Sequence, residues 1–506
     1  MRDRWILAGL LLLTVLLRLP YLAAPIADHL QAKQSYTALR ARAISRPPFN
    51  PLRQSLDLLD DQGQAVRLVE EVPLYCTLVA LCHRLFGEQN AWARLVSLAG
   101  SLLAVAAFYD LVRRRAGQQL AAVAALLFTA APLFVFYGRA VMPDSWMLAL
   151  MITAAALYQR YLGTGSPRGW LGAAVCAALA TLFKYYGLMI LVVLAQMTVS
   201  VPQSGFSALF RRRFLLLLTI VLTPVTLWMG LVFFQNANPL VTGWVPGTEP
   251  RPYLVFQDPS VFFNPALYTG LWRFLTRDMG PISAALLTIG LISAVRRRTL
   301  PEGFGGLLAG WGILAIGFYL ILGPKLIDHD YYELMMLPAG ALGATLGWRH
   351  IVTRISQRWN SQTASRWGAG LLALVVVVQS PWLMGEHFRP ESGKLQLTQA
   401  IRQAVPSNGR VLFMSPSIGL ISVLYESHRQ GWTVPMRELD AHWPDLVNRY
   451  RSLGATTLAV YFDAKTTPEQ RQSFKPMIEG IFILRHGRSQ GTNHQDRYEY
   501  VLLNLD

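Results

Sequence analysis

Apolar runs of about the length a helix needs to cross a bilayer, 17 to 25 residues, recur along most of the chain. They cover residues 5–24, 92–112, 118–137, 144–162, 169–183, 186–201, 214–234, 280–295, 305–322, 332–349 and 367–385. The pattern predicts a polytopic α-helical membrane protein with about eleven transmembrane helices. The fifth and sixth runs are short and form one stretch interrupted by Lys184. An ammonium inside hydrocarbon is costly, so that lysine marks the junction between two spans. The first run has the basic start of a signal peptide but is long for one and ends in Arg-Leu-Pro-Tyr, so it is read as an uncleaved first span.

The polar connections divide by charge. With the N-terminus inside, Arg2 and Arg4, Arg113–Arg115, Arg160 and Arg168, Arg211–Arg213, Arg296–Arg298, and Arg349, Arg354, Arg358 and Arg366 all fall on the cytoplasmic side. The other side receives a first loop at 25–91, a turn at 138–143, Lys184, a loop at 235–279, the stretch 323–331 and everything after 386. In that tail the apolar runs shorten to strand length, as in "RVLFMS" and "TTLAVYF", and alternate with helix-like "PDLVNRYRSL". The expected organisation is a transmembrane domain over 1–385 and a small extracytoplasmic α/β domain over 386–506. The predicted location is the inner (plasma) membrane.

Composition agrees: of 506 residues, 53% are hydrophobic and only 15% charged. The formal charge of +17 belongs to arginine clusters at the ends of apolar runs, a topology signal, so no nucleic-acid partner is expected; membrane lipids are. Cys76 and Cys82, six apart on a predicted helix, face roughly opposite ways and should not pair, and Cys176 falls in an apolar run.

Ionisable residues gather at the outer ends of the spans. In the first loop, "IADHLQAKQSYTALRARAI" predicts an amphipathic helix at the membrane surface, with Asp28 as its N-cap or as a functional carboxylate. Glu70 and Glu71 precede a proline and a second helix, too short to span, that is interfacial or re-entrant. In "YGRAVMPDSWMLAL", Arg139 and Asp144 sit between two spans, and Asp144 at a helix start either stabilises that start or faces water at the rim of a site. Lys184 either snorkels to the interface beside Tyr185 and Tyr186 or grips a phosphate at headgroup level. Lys325, Asp328, His329 and Asp330 crowd before Tyr331, Tyr332 and the tenth span. No zinc-ligand spacing, phosphate-binding glycine loop, dinucleotide fingerprint or serine-nucleophile elbow is present in the sequence. No cofactor is implied with certainty, and a divalent metal is left open.

The ordered series "VEEVPLYCTLVALCHRLFGEQNAWARLVSLAGSLL", "YGRAVMPDS", "LATLFKYYGL" and "HDYYELMMLP" resembles membrane glycosyltransferases of the GT-C fold. Among them it is most similar to the dolichyl-phosphate-mannose protein mannosyltransferase-like family (glycosyltransferase family 39), which includes bacterial aminoarabinose transferases. The resemblance implies transfer of a sugar, with inversion, from a polyprenyl-phosphate donor to an acceptor hydroxyl of a lipid, protein or polysaccharide outside the membrane. It assigns the general base to Asp28, with Asp144 orienting the site or binding acceptor and serving as the alternative base. It places Glu71, His29 and Arg139 at the substrate site. Lys184, Lys325 and His329 hold the carrier phosphate, and Tyr331 and Tyr332 line the lipid or sugar pocket. Where the family often carries an Asp-Glu pair nine residues before an arginine of the surface helix, here Arg42, this chain has Lys33 and Gln34; Asp28 and His29 lie upstream. The rival reading, a lipid or solute transporter, predicts inverted repeats and charges near the middle of spans; a second, a membrane scaffold displaying its tail domain, leaves these residues unclustered.

Overall fold

A computed structural model describes residues 2–53, 55–67, 71–201, 205–235, 259–297, 304–357, 361–415, 420–435, 443–462, 491–493 and 498–505. The first part of the chain forms α1 (Arg2–Arg18), α2 (Gln31–Ser45), β1 (Ser55–Leu59), β2 (Ala65–Arg67) and α3 (Leu74–Phe86). The helical middle follows with α4 (Asn90–Thr129), α5 (Pro132–Tyr137), α6 (Asp144–Thr164), α7 (Pro167–Phe183), α8 (Ile190–Val199), α9 (Arg212–Gln235), α10 (Pro265–Arg273), α11 (Pro281–Arg297), α12 (Phe304–Asp328), α13 (Leu337–Ser356) and α14 (Ser361–Phe388). The tail contributes α15 (Ser392–Ala404), β3 (Arg410–Ser415), α16 (Ile421–Ser427), β4 (Gln430–Pro435), α17 (Trp443–Ser452), β5 (Ala455–Phe462), β6 (Gly491–Asn493) and β7 (Tyr498–Asn504).

The chain divides into two compact units. The first holds the described residues of 1–22, 94–235 and 251–386. The predicted apolar runs fall largely on its helices; the second and third share α4, which breaks at Gly117, and the third runs on into α5. Among the described residues, four helices are long and apolar enough to cross a membrane: those at Asn90–Thr129, Arg212–Val232, Phe304–Ile327 and Gly370–Phe388. A fifth candidate is the pair Pro265–Asp278 and Pro281–Arg296, bent by 108°. Within the unit α6 packs along α7, and α11 along α13. The α11–α13 crossing is closed by Gly290, Gly343 and Gly347, where main chain lies against main chain.

The second unit holds the described residues of 23–93 and 387–506. Its sheet has the order β2-β1-β4-β3-β5-β7-β6. The tail strands β4, β3 and β5 are parallel neighbours, and β7 and β6 close one edge antiparallel. The other edge comes from the first loop: β1 runs parallel to β4, with Leu58 opposite Gly431, and β2 folds back on β1. The hairpin turns at Asp60, whose Oδ1 accepts from the N–H groups of Gln62 (2.9 Å) and Gln64 (2.8 Å). Leu59, Leu412, Met414, Trp432, Leu458 and Val460 share one core, and Trp432 Nε1 donates to the Asp60 carbonyl at 2.8 Å.

Two expectations for the first loop are corrected here. The segment predicted as an amphipathic surface helix forms α2, but eleven of its fifteen residues are buried, packed against α3, α16 and β1. Small residues and two internally paired arginines let it sit inside a protein layer. Its N-cap is Leu30, in the left-handed region at φ 51°, not Asp28. Cys76, Cys82 and Cys176 form no disulfide.

Candidate functional site

In the helical unit the two charges separated by forty residues meet. Lys184 Nζ donates to Asp144 Oδ1 at 2.8 Å, and the side chains are 3% and 2% exposed. Asp144 is therefore buried and does not face water. Nor does its side chain cap α6, which starts at Asp144 without a side-chain cap hydrogen bond. Its Oδ2 has no hydrogen-bond partner among the described residues. Local sequence delivers Lys184 to this place. Helix α7 stops at Phe183, Lys184 is extended (φ −162°), and a 3-10 turn over Tyr185–Met189 leads into α8. The turn folds back on α7 because Gly187 has no side chain; a Cβ there would lie 2.5 Å from the Ala180 carbonyl. The lysine ammonium then sits 4.2 Å from the Tyr331 ring centroid and 5.4 Å from that of Tyr332, where aromatic faces favour a cation. Tyr186 and Tyr332 meet edge to face at 4.9 Å.

The turn that carries Arg139 is buried from Ala131 to Asp144. Two serines of α4 fix it: Ser101 Oγ donates to the Gly138 carbonyl at 2.7 Å and Ser97 Oγ to the Ala140 carbonyl at 2.6 Å. Arg139 is itself buried, donates to the Tyr21 carbonyl at 3.3 Å and lies 5.6 Å from the Phe136 ring. Lys325 is buried near the end of α12, where its carbonyl accepts from the His329 N–H at 3.0 Å. The His329 ring stacks on Tyr331 at 5.4 Å.

Next to the tyrosines lies a buried ionic network. Asp330 accepts from the Tyr137 hydroxyl and, at 2.9 Å, from Arg277 Nη2. Arg277 Nε also donates to the fully buried Asp278 at 2.5 Å. Glu333, also buried, neighbours Asp278. Tyr137, Arg277, Asp278 and Glu333 carry no motif that singles them out in the sequence; the polar crowd at 325–330 is the one signal pointing toward them.

Asp28, His29 and Glu71 belong to the other unit. Asp28 is buried, and its Oδ1 accepts from Gln34 Nε2 at 2.7 Å, so the glutamine at the family's acidic register holds the upstream aspartate. The same Gln34 amide donates to the His29 carbonyl at 2.8 Å. The His29 ring lies 4.1 Å from that of His387. Glu71 is buried and faces Arg40 at 3.8 Å, while Glu70 lies outside the described residues. Two residues further along α2, Arg42 gathers Glu88 at 2.6 Å and Asp57 at 3.3 Å.

The mostly helical chain, with its apolar helices and small sheet, has the GT-C fold of membrane glycosyltransferases. Residues 70–229, which contain Glu71, Arg139, Asp144 and Lys184, match the profile of the dolichyl-phosphate-mannose-protein mannosyltransferase family. The resemblance drawn from the motifs thus holds for family profile and for fold. ArnT from Cupriavidus metallidurans in the apo state superposes with a TM-score of 0.62 at 15% identity, covering 98% of this chain and 97% of that one. The same protein bound to undecaprenyl phosphate gives 0.60 at 14% identity, again covering 98% and 97%. The archaeal oligosaccharyltransferase AglB from Archaeoglobus fulgidus, in complex with an inhibitory peptide and a dolichol-phosphate, gives 0.57 at 13% identity, covering 99% and 74%. No curated protein matches the chain in sequence.

Proposed function

We propose that the protein transfers a sugar from a polyprenyl-phosphate carrier to an acceptor hydroxyl on the extracytoplasmic side of the membrane, with inversion at the anomeric carbon. The observation that carries the reading is the buried Asp144–Lys184 pair under Tyr331 and Tyr332, in a fold whose similar structures hold undecaprenyl phosphate and dolichol-phosphate. An ammonium caged by aromatic faces and one carboxylate is a preformed cation for a phosphate. In this reading Lys184 grips the carrier phosphate, helped by Lys325 and His329, and stabilises the charge it gains as the bond to the sugar breaks. Asp144 holds the lysine in place. Tyr331 and Tyr332 line the lipid or sugar pocket, and Arg139 and Glu71 support the substrate site.

A phosphate is already a good leaving group, so the remaining chemical need is a base for the acceptor hydroxyl. Asp28 takes that role, with His29 beside it. Its Oδ1 accepts from the Gln34 amide, which orients the carboxylate. The tail and first loop face the extracytoplasmic side, and the arginine clusters face the cytoplasm. Native mass spectrometry of the purified protein with undecaprenyl phosphate tests the phosphate grip. Wild type retains the lipid and Lys184→Met loses at least tenfold in affinity; equal retention by both would remove Lys184 from the phosphate site.

A further inference from the structure

Residues 387–506 of the second unit have no role in the chemistry above, yet they hold the short segment around Asp28, in the same unit, residue by residue. The Ile26 N–H donates to Glu426 Oε1 at 2.6 Å. The Ala27 carbonyl accepts from the Glu391 N–H at 2.9 Å, and the His29 N–H donates to the His387 carbonyl at 3.1 Å. Just beyond, the Gln31 side chain is held at both ends: its Nε2 donates to Glu391 Oε1 at 2.8 Å and its Oε1 accepts from Ser422 Oγ at 2.7 Å. Asn90, at the start of α4, completes the grip by donating to Glu426 Oε1 at 2.8 Å and accepting from the Tyr425 hydroxyl at 2.9 Å.

These contacts act on an irregular stretch whose own local bonds come mainly from Gln34 and Gln31 of α2. Residues 25–30 lie outside any helix or strand, and Leu30 is in the left-handed region at φ 51° without being glycine. Such a backbone persists only where its surroundings fix it. Ile26 and Ala27 are nonetheless buried at 0% and 2% exposure. Helix α16 supplies Glu426, and Ser422 lies one turn before it on the same helix.

We propose that the tail is a clamp that sets the position of Asp28, with Glu426 and Ser422 as positioning residues. This rests on Asp28 being the base, and the tests separate the two claims. Glu426 borders a cavity of about 270 Å³ shared with Asn90, Arg402 and His428, so truncating it enlarges an existing space and leaves the hydrophobic core intact.

Hydrogen–deuterium exchange on the full-length protein in nanodiscs reads the clamp without any substrate. In Glu426→Ala, exchange in the peptide spanning 25–35 rises at least tenfold while β3 and β5 stay protected; Glu426→Gln, which keeps an acceptor for both donors, restores the wild-type rate. Unchanged exchange at 25–35, or equal loss of protection in β3 and β5, would overturn the clamp. The second readout is turnover of undecaprenyl-phosphate-linked sugars. Glu426→Ala and Ser422→Ala lower kcat by about ten- to a hundredfold with KM for the donor unchanged, as expected for a displaced catalytic group, and Glu426→Gln recovers it. A Glu426→Ala enzyme with altered exchange but full kcat overturns the positioning role. Full turnover by Asp28→Asn sinks the assignment of the base, while the exchange result still decides whether the clamp exists.

Discussion

Replacing Lys184 by methionine removes the cation from a buried pair and leaves its volume nearly filled. In wild type the Nζ–Oδ1 distance is 2.8 Å with both side chains 3% or less exposed. At an effective dielectric of about 20, the attraction at that distance is about 6 kcal/mol. Most of it offsets the desolvation of two charges, so the loss that matters is the penalty of a carboxylate left alone. Asp144 would then have neither oxygen hydrogen-bonded among the described residues, because Oδ2 already has no partner. Deleting one member of a buried pair costs about 3–5 kcal/mol, against about 0–1 kcal/mol for an exposed pair. The assay is equilibrium unfolding in mixed micelles, with Lys184→Met, Asp144→Leu and the double variant forming a cycle. Lys184→Met is expected to lose about 3–5 kcal/mol and the double variant to regain most of it, since apolar replacement of both charges removes the desolvation cost. A loss below about 1 kcal/mol, or strict additivity, would refute the claim that this pair is desolvated.

Three further outcomes are expected. Gly347→Leu forces a side chain into the Leu286 main chain at the α11–α13 crossing, where even a Cβ has no room; it should destabilise the protein by about 1–3 kcal/mol or more in the same unfolding assay, and a neutral result would mean the helices are not in main-chain contact. Arg42→Lys keeps the charge but loses the simultaneous reach to Glu88, Asp57 and the Tyr425 carbonyl and the stacking on the Tyr425 ring at 4.1 Å; limited proteolysis should cut the second unit faster than in wild type, and equal rates would contradict the role. His83 is held below its ordinary value of 6.5 by burial, with Arg42 adding to this and Glu88 opposing it, and His428 is lowered by burial, Arg42 and Arg402. The unfolded chain then binds more protons, so stability is full above 6.5 and falls as pH drops through the folded values. Melting temperature should decrease from about pH 7.5 to about 5.5, less so in His83→Phe; a flat profile would count against a neutral, buried His83 imidazole.

How much of this was legible depended on distance along the chain. The break at Lys184 could be read because one charge interrupts an apolar stretch too long for one span, and the structure puts a 3-10 turn there. Its pairing with Asp144 was half legible: both were expected at the same face, but no local rule specifies which charges touch. Helix α2 misled because small residues and arginines look solvated, whereas Arg42 is satisfied internally by groups from β1, the α3–α4 link and α16. The β1–β2 hairpin was missed because strands of five and three residues carry little periodicity, and their partner β4 lies hundreds of residues away. Tyr137 and Asp330 are 193 residues apart, and such a contact leaves no trace in local spacing.

The measurement that tests the central claim most directly is turnover by the purified, reconstituted protein of a panel of polyprenyl-phosphate sugars, following release of the lipid phosphate by mass spectrometry. Wild type should consume one donor class, and Asp28→Asn and Lys184→Met should abolish turnover while Asp28→Asn keeps its wild-type melting temperature. Folded wild-type protein that binds these lipids and releases no lipid phosphate from any of them would contradict that claim.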